Sequence, residues 1–210
     1  FLLFSILYPV LRKKSVYLFI NYAGPSFVKL GQSLATRPDL VGEDMSKILS
    51  GFQDKMKPFS EKIVKNILKK KLGQNLDDIF SSIDYTPKAC ASIAQVHKAV
   101  LIDGSHVAVK ILRPSIRRTV KRDLVTLNLI IKIISLFSKD LANGLKDVAC
   151  VLKQCYETEL DLSREAANAI RLKNNMRGEV GFYVPNVYSN LTTSKVMVSQ
   201  WIDGIPFSDH

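Results

Sequence analysis

Apolar and polar positions alternate in two different periods along this chain. Residues 96–102 form a short apolar run, and between 106 and 112 large apolar residues alternate with small or polar ones, the period-two pattern of strands. Asp103-Gly104 separates the two runs, and an Asp-Gly pair in that position predicts a β-hairpin. On the second strand Val107, Val109 and Ile111 share one face, while Ala108, Lys110 and Leu112 share the other. Elsewhere the period is helical. Phe27, Leu30, Gly31 and Leu34 recur at i, i+3, i+4 and i+7, with Ser26 a candidate N-cap and Pro38 ending that helix or starting the next. Ile63, Val64, Ile67 and Leu68 form the apolar face of a helix over 60–72, with Gly73 placed as its C-terminal cap. Residues 76–83 read as a further short helix and 84–87 as the connection into the hairpin. A long helix is expected over about 116–138 and, after Asn143-Gly144, another over about 145–176. Residues 183–188 and 195–201 read as a second antiparallel pair. Residues 1–22, interrupted by Pro9, read as helical, lying either on the core or near a membrane.

Composition narrows the class. The 210 residues are 47% hydrophobic and 23% charged, enough for one sizeable core with a helical appendage and unlike a disordered chain. Cys90, Cys150 and Cys155 have no metal-ligand spacing and are odd in number, which fits a reducing compartment. The apolar runs 1–11 and 124–137 fall short of the ~20 residues that a spanning helix needs. They read as buried or interfacial helices.

Lys and Arg outnumber Asp and Glu by 30 to 19, a net charge of +11, concentrated at 12–14, 69–71 and 113–122. Such a surface suits an anionic membrane, a polyphosphate ligand or plain solvation. Nucleic acid is disfavoured, because the runs are not interleaved with aromatics and carry no recognition motif.

One lysine stands apart from these runs. Lys110 lies among small and apolar neighbours on its strand, beneath the small-residue segment Ala89-Cys90-Ala91-Ser92-Ile93-Ala94. Ala108 leaves room for a flat base and Lys110 can reach phosphates; equally, an edge-strand lysine can extend to water. Glu165 offers a second clue. It shares a helical face with Ala169, Leu172 and Met176, so a carboxylate ends an apolar stripe and calls for a cationic partner. Lys110 is one candidate; Arg164 and Arg171 are the surface alternatives. Lys29, Gln32 and Thr36 form a polar face on the first helix, in which Gly31 costs ~1 kcal/mol relative to alanine.

Four blocks together resemble the UbiB family of atypical, kinase-like proteins that support ubiquinone biosynthesis. They are Lys29-Leu30-Gly31-Gln32, the alanine-rich loop with Val107-Ala108-Val109-Lys110, Glu159-Leu160-Asp161, and Arg164-Glu165-Ala166-Ala167-Asn168-Ala169. The strand is similar to the V-A-I-K strand of protein kinases, but no G-x-G-x-x-G loop precedes it. The resemblance implies an α+β, protein-kinase-like small lobe (84–210) preceded by a helical extension (1–83). It implies ATP or ADP at Lys88, Ala89, Cys90, Ala91, Ser92, Ile93, Ala94, Gln95, Val96 and Lys110, with Glu165 pairing Lys110 as helix C does in kinases.

In the family Lys29, Gly31 and Gln32 form the KxGQ element, facing Glu159 and Asp161 of the ExD element across the place where a kinase would bind peptide. Backbone at 200–204 falls where a kinase hinge meets adenine. The implied partners are ubiquinone-biosynthesis proteins, lipid precursors and a membrane surface, on the cytoplasmic side of a bacterial inner membrane. The resemblance places the catalytic-loop aspartate, most magnesium ligands, the large lobe and a membrane anchor beyond His210. It therefore predicts a fragment that is inactive alone, and the lack of an initiator methionine predicts residues before Phe1. A non-catalytic module that binds lipid precursors or scaffolds biosynthetic enzymes is the alternative.

Overall fold

The structure is a computed structural model that describes residues 25–36, 38–50, 58–73 and 75–205. The expected helix over 1–22, with its basic run at 12–14, lies outside them. Contacts divide the chain into two compact units, one of residues 1–56 and 115–157, the other of residues 57–114 and 158–210.

The first unit is helical. It contains α1 (Pro25–Ala35), α2 (Pro38–Val41), α3 (Glu43–Ser50), α5 (Ile116–Ile134) and nearly all of α6 (Lys139–Glu159). Ser26 lies inside α1, because Pro25 takes the first helical position, where its missing N–H costs nothing. Phe27, Val28 and Leu34 are buried, and α1 touches α2, α3 and α5. The expected stop at Asn143-Gly144 does not occur: α6 runs straight through both residues. Ala142, Val148, Leu152 and Tyr156 continue one buried stripe across that point, so packing outweighs the ~1 kcal/mol propensity cost of the glycine.

The second unit is α+β. It holds α4 (Glu61–Leu72), five strands β1 (Phe80–Ile83), β2 (Ala89–Cys90), β3 (Ala94–Leu101), β4 (His106–Leu112) and β5 (Val196–Gln200), and α7 (Leu162–Asn175). The antiparallel sheet has the order β1-β3-β4-β5, with β2 also pairing β3. The helix expected over 76–83 is a 3-10 turn at Leu76–Asp78 followed by β1. Register with β3 (Phe80 opposite Leu101, Ile83 opposite Ala99) supplies backbone partners that an isolated four-residue run cannot provide for itself. The β3–β4 hairpin turns at Asp103-Gly104. Gly104 adopts φ +84, and Asp103 Oδ1 accepts the Ser105 N–H at 2.9 Å. Gly73 caps α4 with φ +66, its N–H donating to the Lys69 carbonyl at 3.2 Å.

Ala99, Leu101, Val107, Val109, Ile111, Val196 and Val198 pack with Val64 and Leu68 of α4 into one core. Between 183 and 188 no strand forms; a single bridge joins Val187 to Ser199.

Helix does not continue through the ExD segment. It breaks at Leu160-Asp161, and Asp161 becomes the N-cap of α7, its carboxylate accepting from the Ser163 N–H at 3.1 Å and Oγ–H at 2.5 Å. Asp161 and Glu165 are therefore cap and first-turn residue rather than neighbours on one helical face. The apolar stripe expected behind Glu165 is only partly covered, Leu172 being exposed and Ala169 and Met176 half-buried.

Candidate functional site

The sheet has two unlike faces. Strand alternation puts Gln95, His97, Ala99 and Leu101 of β3 with Val107, Val109 and Ile111 of β4 on the buried face. Val96, Lys98, Ala108 and Lys110 are half-buried on the other. Register sets Val96 opposite Lys110 and Lys110 opposite Met197, then Lys98 opposite Ala108 and Ala108 opposite Ser199. A lysine thus stands beside a small, mostly apolar surface.

α7 packs on β5, and Glu165 in its first turn reaches that lysine. Lys110 Nζ donates to both Glu165 oxygens, at 2.6 and 2.8 Å. The two side chains remain 31% and 37% exposed, so water screens the attraction and the pair stabilises the fold by only ~0–1 kcal/mol. Its consequence is positional: the ammonium is held at one place on the half-open face, and neither Arg164 nor Arg171 takes its place as the partner of Glu165.

The alanine-rich segment is a tight hairpin rather than an open loop. Lys88 N–H donates to the Val96 carbonyl and Ala91 N–H to the Ala94 carbonyl, both at 2.8 Å. Ser92, Ile93 and Ala94 are buried. Among the described residues only Ser115 carries a positive φ without being glycine, so the hairpin needs no left-handed residue and tolerates alanine throughout.

Two anchors here escaped the sequence reading. Arg113 N–H donates to the Ile93 carbonyl at 2.8 Å and its Nε–H to the Ala91 carbonyl at 3.1 Å, while its guanidinium lies 5.7 Å from the Phe59 ring centre. Its signal was its position one residue past a strand whose last residue, Leu112, pairs with Ala94.

The second anchor is a buried polar chain. The Asp84 carbonyl can only accept, so His97 Nδ1–H donates to it at 2.9 Å. That leaves His97 Nε2 to accept from Gln95 Nε2–H at 2.9 Å. Gln95 Oε1 accepts the Phe59 N–H at 3.1 Å and lies 3.9 Å from Cys90 Sγ. Burial pushes the His97 pKa below its ordinary 6.5, against the opposing pull of the Asp84 carbonyl and carboxylate. Gln95 therefore faces the core, not the half-open side where Lys110 stands.

Just past β5, Trp201 N–H donates to the His106 carbonyl at 3.0 Å, and the Trp201 indole donates to Asp203 at 2.7 Å. Lys98 Nζ lies 4.9 Å from the Trp201 ring centre. These contacts hold the segment after β5 against the same face as Lys110.

Gly31 is buried and Gln32 half-buried in the helical unit. Glu159 and Asp161 lie at the break before α7; the Lys29 side chain lies outside the description. Among the described residues no group of three or more His, Cys, Asp or Glu comes together as a metal site.

A family model for the ABC1 atypical kinase-like domain matches residues 51–210. The chain belongs to the ABC1 atypical kinase-like family. Among curated relatives, the probable protein kinase UbiB of Pseudomonas putida (strain W619) is 42% identical over 189 residues, 89% of this chain and 35% of that protein. The same-named protein of Azotobacter vinelandii (strain DJ / ATCC BAA-1303) is 38% identical over 187 residues, again 89% and 35%. The chain thus spans about a third of the length of the curated relatives it matches. Among solved structures, the Rv3197–erythromycin complex from Mycobacterium tuberculosis superposes with a TM-score of 0.55 at 27% identity, covering 98% of this chain and 52% of that one. The five-stranded sheet with α7 is the small lobe of this kinase-like fold.

Proposed function

We propose that this chain is the KxGQ-bearing helical extension and the small lobe, to which α4 and β1 belong, of an ATP-binding, atypical kinase or ATPase-like protein. The whole protein supports ubiquinone biosynthesis at a membrane, together with other biosynthetic proteins and lipid precursors. The observation that carries this reading is the Lys110–Glu165 pair, which fixes an ammonium on the half-open sheet face beside Ala108 and Val96. ATP or ADP with magnesium would bring the phosphoanhydride to be cleaved. Lys110 would hold the phosphates, with Val96 and Ala108 against the base. The pinned 88–96 hairpin would cover them stiffly, its carbonyls already engaged by Arg113. A cover that cannot mould itself to the phosphates favours slow turnover over rapid peptide phosphorylation. Charge stabilisation at the transferred group needs a catalytic-loop carboxylate and magnesium aspartate, and no motif in these 210 residues supplies them.

Titration of ATP with magnesium against the parent and Lys110→Ala tests the reading. A lysine hydrogen-bonded to phosphate contributes ~1.5–3 kcal/mol, so affinity should fall by about ten- to a hundredfold. Unchanged affinity would remove Lys110 from the site. Absence of nucleotide binding in the parent would favour the lipid-binding or scaffolding alternative.

A further inference from the structure

The outward side of α5 is a surface that the nucleotide site does not use. The helix buries Ile116, Val120, Asp123, Leu127 and Ile131 along one stripe. On the opposite side Val125, Leu129 and Ile133 recur every fourth residue, and Leu136 and Phe137 extend the row past the helix end. These five side chains are 52 to 85% exposed. Arg118, Lys121 and Arg122 occupy the same side toward the N-terminus, and Lys132 stands within the apolar row; all four are exposed. The helix holds a single acid, Asp123, and that residue is buried, with Arg122 reaching back to it at 3.4 Å. The outward side therefore presents large apolar groups and positive charge with no acid among them.

Contiguous exposed apolar side chains on a soluble domain mark a contact surface. A basic helix with an apolar stripe is suited to lying in a lipid interface, with its side chains a few ångströms into the headgroup layer. No helix among the described residues is long and apolar enough to cross a membrane, so this one can lie on a bilayer but not span it. We propose that the outward side of α5, with Leu136 and Phe137 at its tip, docks on an anionic lipid bilayer. Val125, Leu129, Ile133, Leu136 and Phe137 enter the interface, and Arg118, Lys121, Arg122 and Lys132 meet lipid phosphates. A second copy of the chain fits poorly, because two such sides would oppose basic groups with no acid between them. The proposal names the surface for the membrane association in the reading above. Its test needs no nucleotide, so the two can fail separately.

The test is flotation of the chain with vesicles of phosphatidylcholine alone, or of phosphatidylcholine and phosphatidylglycerol in equal parts. The parent should float with the anionic vesicles and not with the neutral ones. Leu129→Gln/Ile133→Gln should lose most of that binding. Arg118→Glu/Lys121→Glu should lose at least about twentyfold, since each basic group near an anionic surface strengthens binding about fivefold. All four substituted positions are exposed, and an unchanged thermal melt verifies folding in each variant. A parent that stays off anionic vesicles, or variants that bind like the parent, would overturn the proposal. So would parent dimers, seen by light scattering without lipid, that Leu129→Gln/Ile133→Gln dissolves; the surface would then be a self-interface.

Discussion

Replacing Gln95 with leucine should destabilise the sheet unit by an amount the hydrogen-bond geometry sets. The Gln95 side chain is 0% exposed and joins three segments: the Phe59 backbone, the His97 ring and, more weakly, the Cys90 thiol. Leucine has similar bulk, so the packing cost is small and the lost polar contacts dominate. His97 Nε2, also fully buried, would lose its only donor, and a buried unsatisfied acceptor costs ~1–3 kcal/mol. Phe59 is half-buried, so water can partly replace the bond to its N–H; that loss costs ~0.5–1.5 kcal/mol. The sum is ~1.5–4.5 kcal/mol, a large share of the 5–15 kcal/mol that typically holds a domain together. Urea titration followed by circular dichroism reads the change, with the slope compared between the proteins to verify that only stability has moved. Gln95→Leu within ~0.5 kcal/mol of the parent would refute the claim that this buried chain holds the hairpin, and water would then have to reach His97.

Two further predictions concern pH and a helix cap. Burial depresses the His97 pKa, so below its ordinary 6.5 the unfolded chain takes up a proton that the folded chain refuses. The resulting stability is complete above about pH 6.5 and is lost as pH falls from there toward the folded-state pKa. Urea midpoints between pH 8 and 5 should therefore fall more steeply with acid in the parent than in His97→Gln; equal slopes would exclude His97 as the titrating group. Asp84 and Asp103 are depressed by their hydrogen-bonding neighbours and act with the same sign, but only in the more acid range below 3.8. Asp161→Ala removes the N-cap of α7 and should cost ~1 kcal/mol, read as a lower thermal midpoint that Asp161→Asn largely restores. A cost as large in the asparagine variant would mean that charge, not capping, is what Asp161 contributes.

The hairpin around Asp103-Gly104 was legible because its signals are local: an apolar run before the turn, period-two alternation after it and a residue pair suited to the turn. The same holds for α4, whose apolar face and glycine cap lie within one continuous segment. Glu165 was legible for a different reason. The residues alone left Lys110, Arg164 and Arg171 as partners and the kinase-like resemblance singled out Lys110, although Leu172, in the apolar stripe that first drew attention to Glu165, is exposed. The errors fall where packing outweighed local preference. Asn143-Gly144 reads as a stop, yet α6 continues because its buried stripe spans that point. Residues 80–83 read as the end of a short helix, and only pairing with β3 makes them a strand.

From the order of residues alone follow the hairpin, the strand face that carries Lys110 and the basic excess, since each depends on neighbours a few positions apart; the α+β class followed from the family resemblance. Tertiary structure alone decided that Arg113 holds the carbonyls of the 91–93 turn, that Gln95 turns inward to His97, and that α5 leaves an apolar row uncovered. The physical reason is that hydrogen bonds and burial are settled by groups that meet in space. A residue's own flanks do not record whether a carbonyl from twenty positions away, or only water, will stand opposite it.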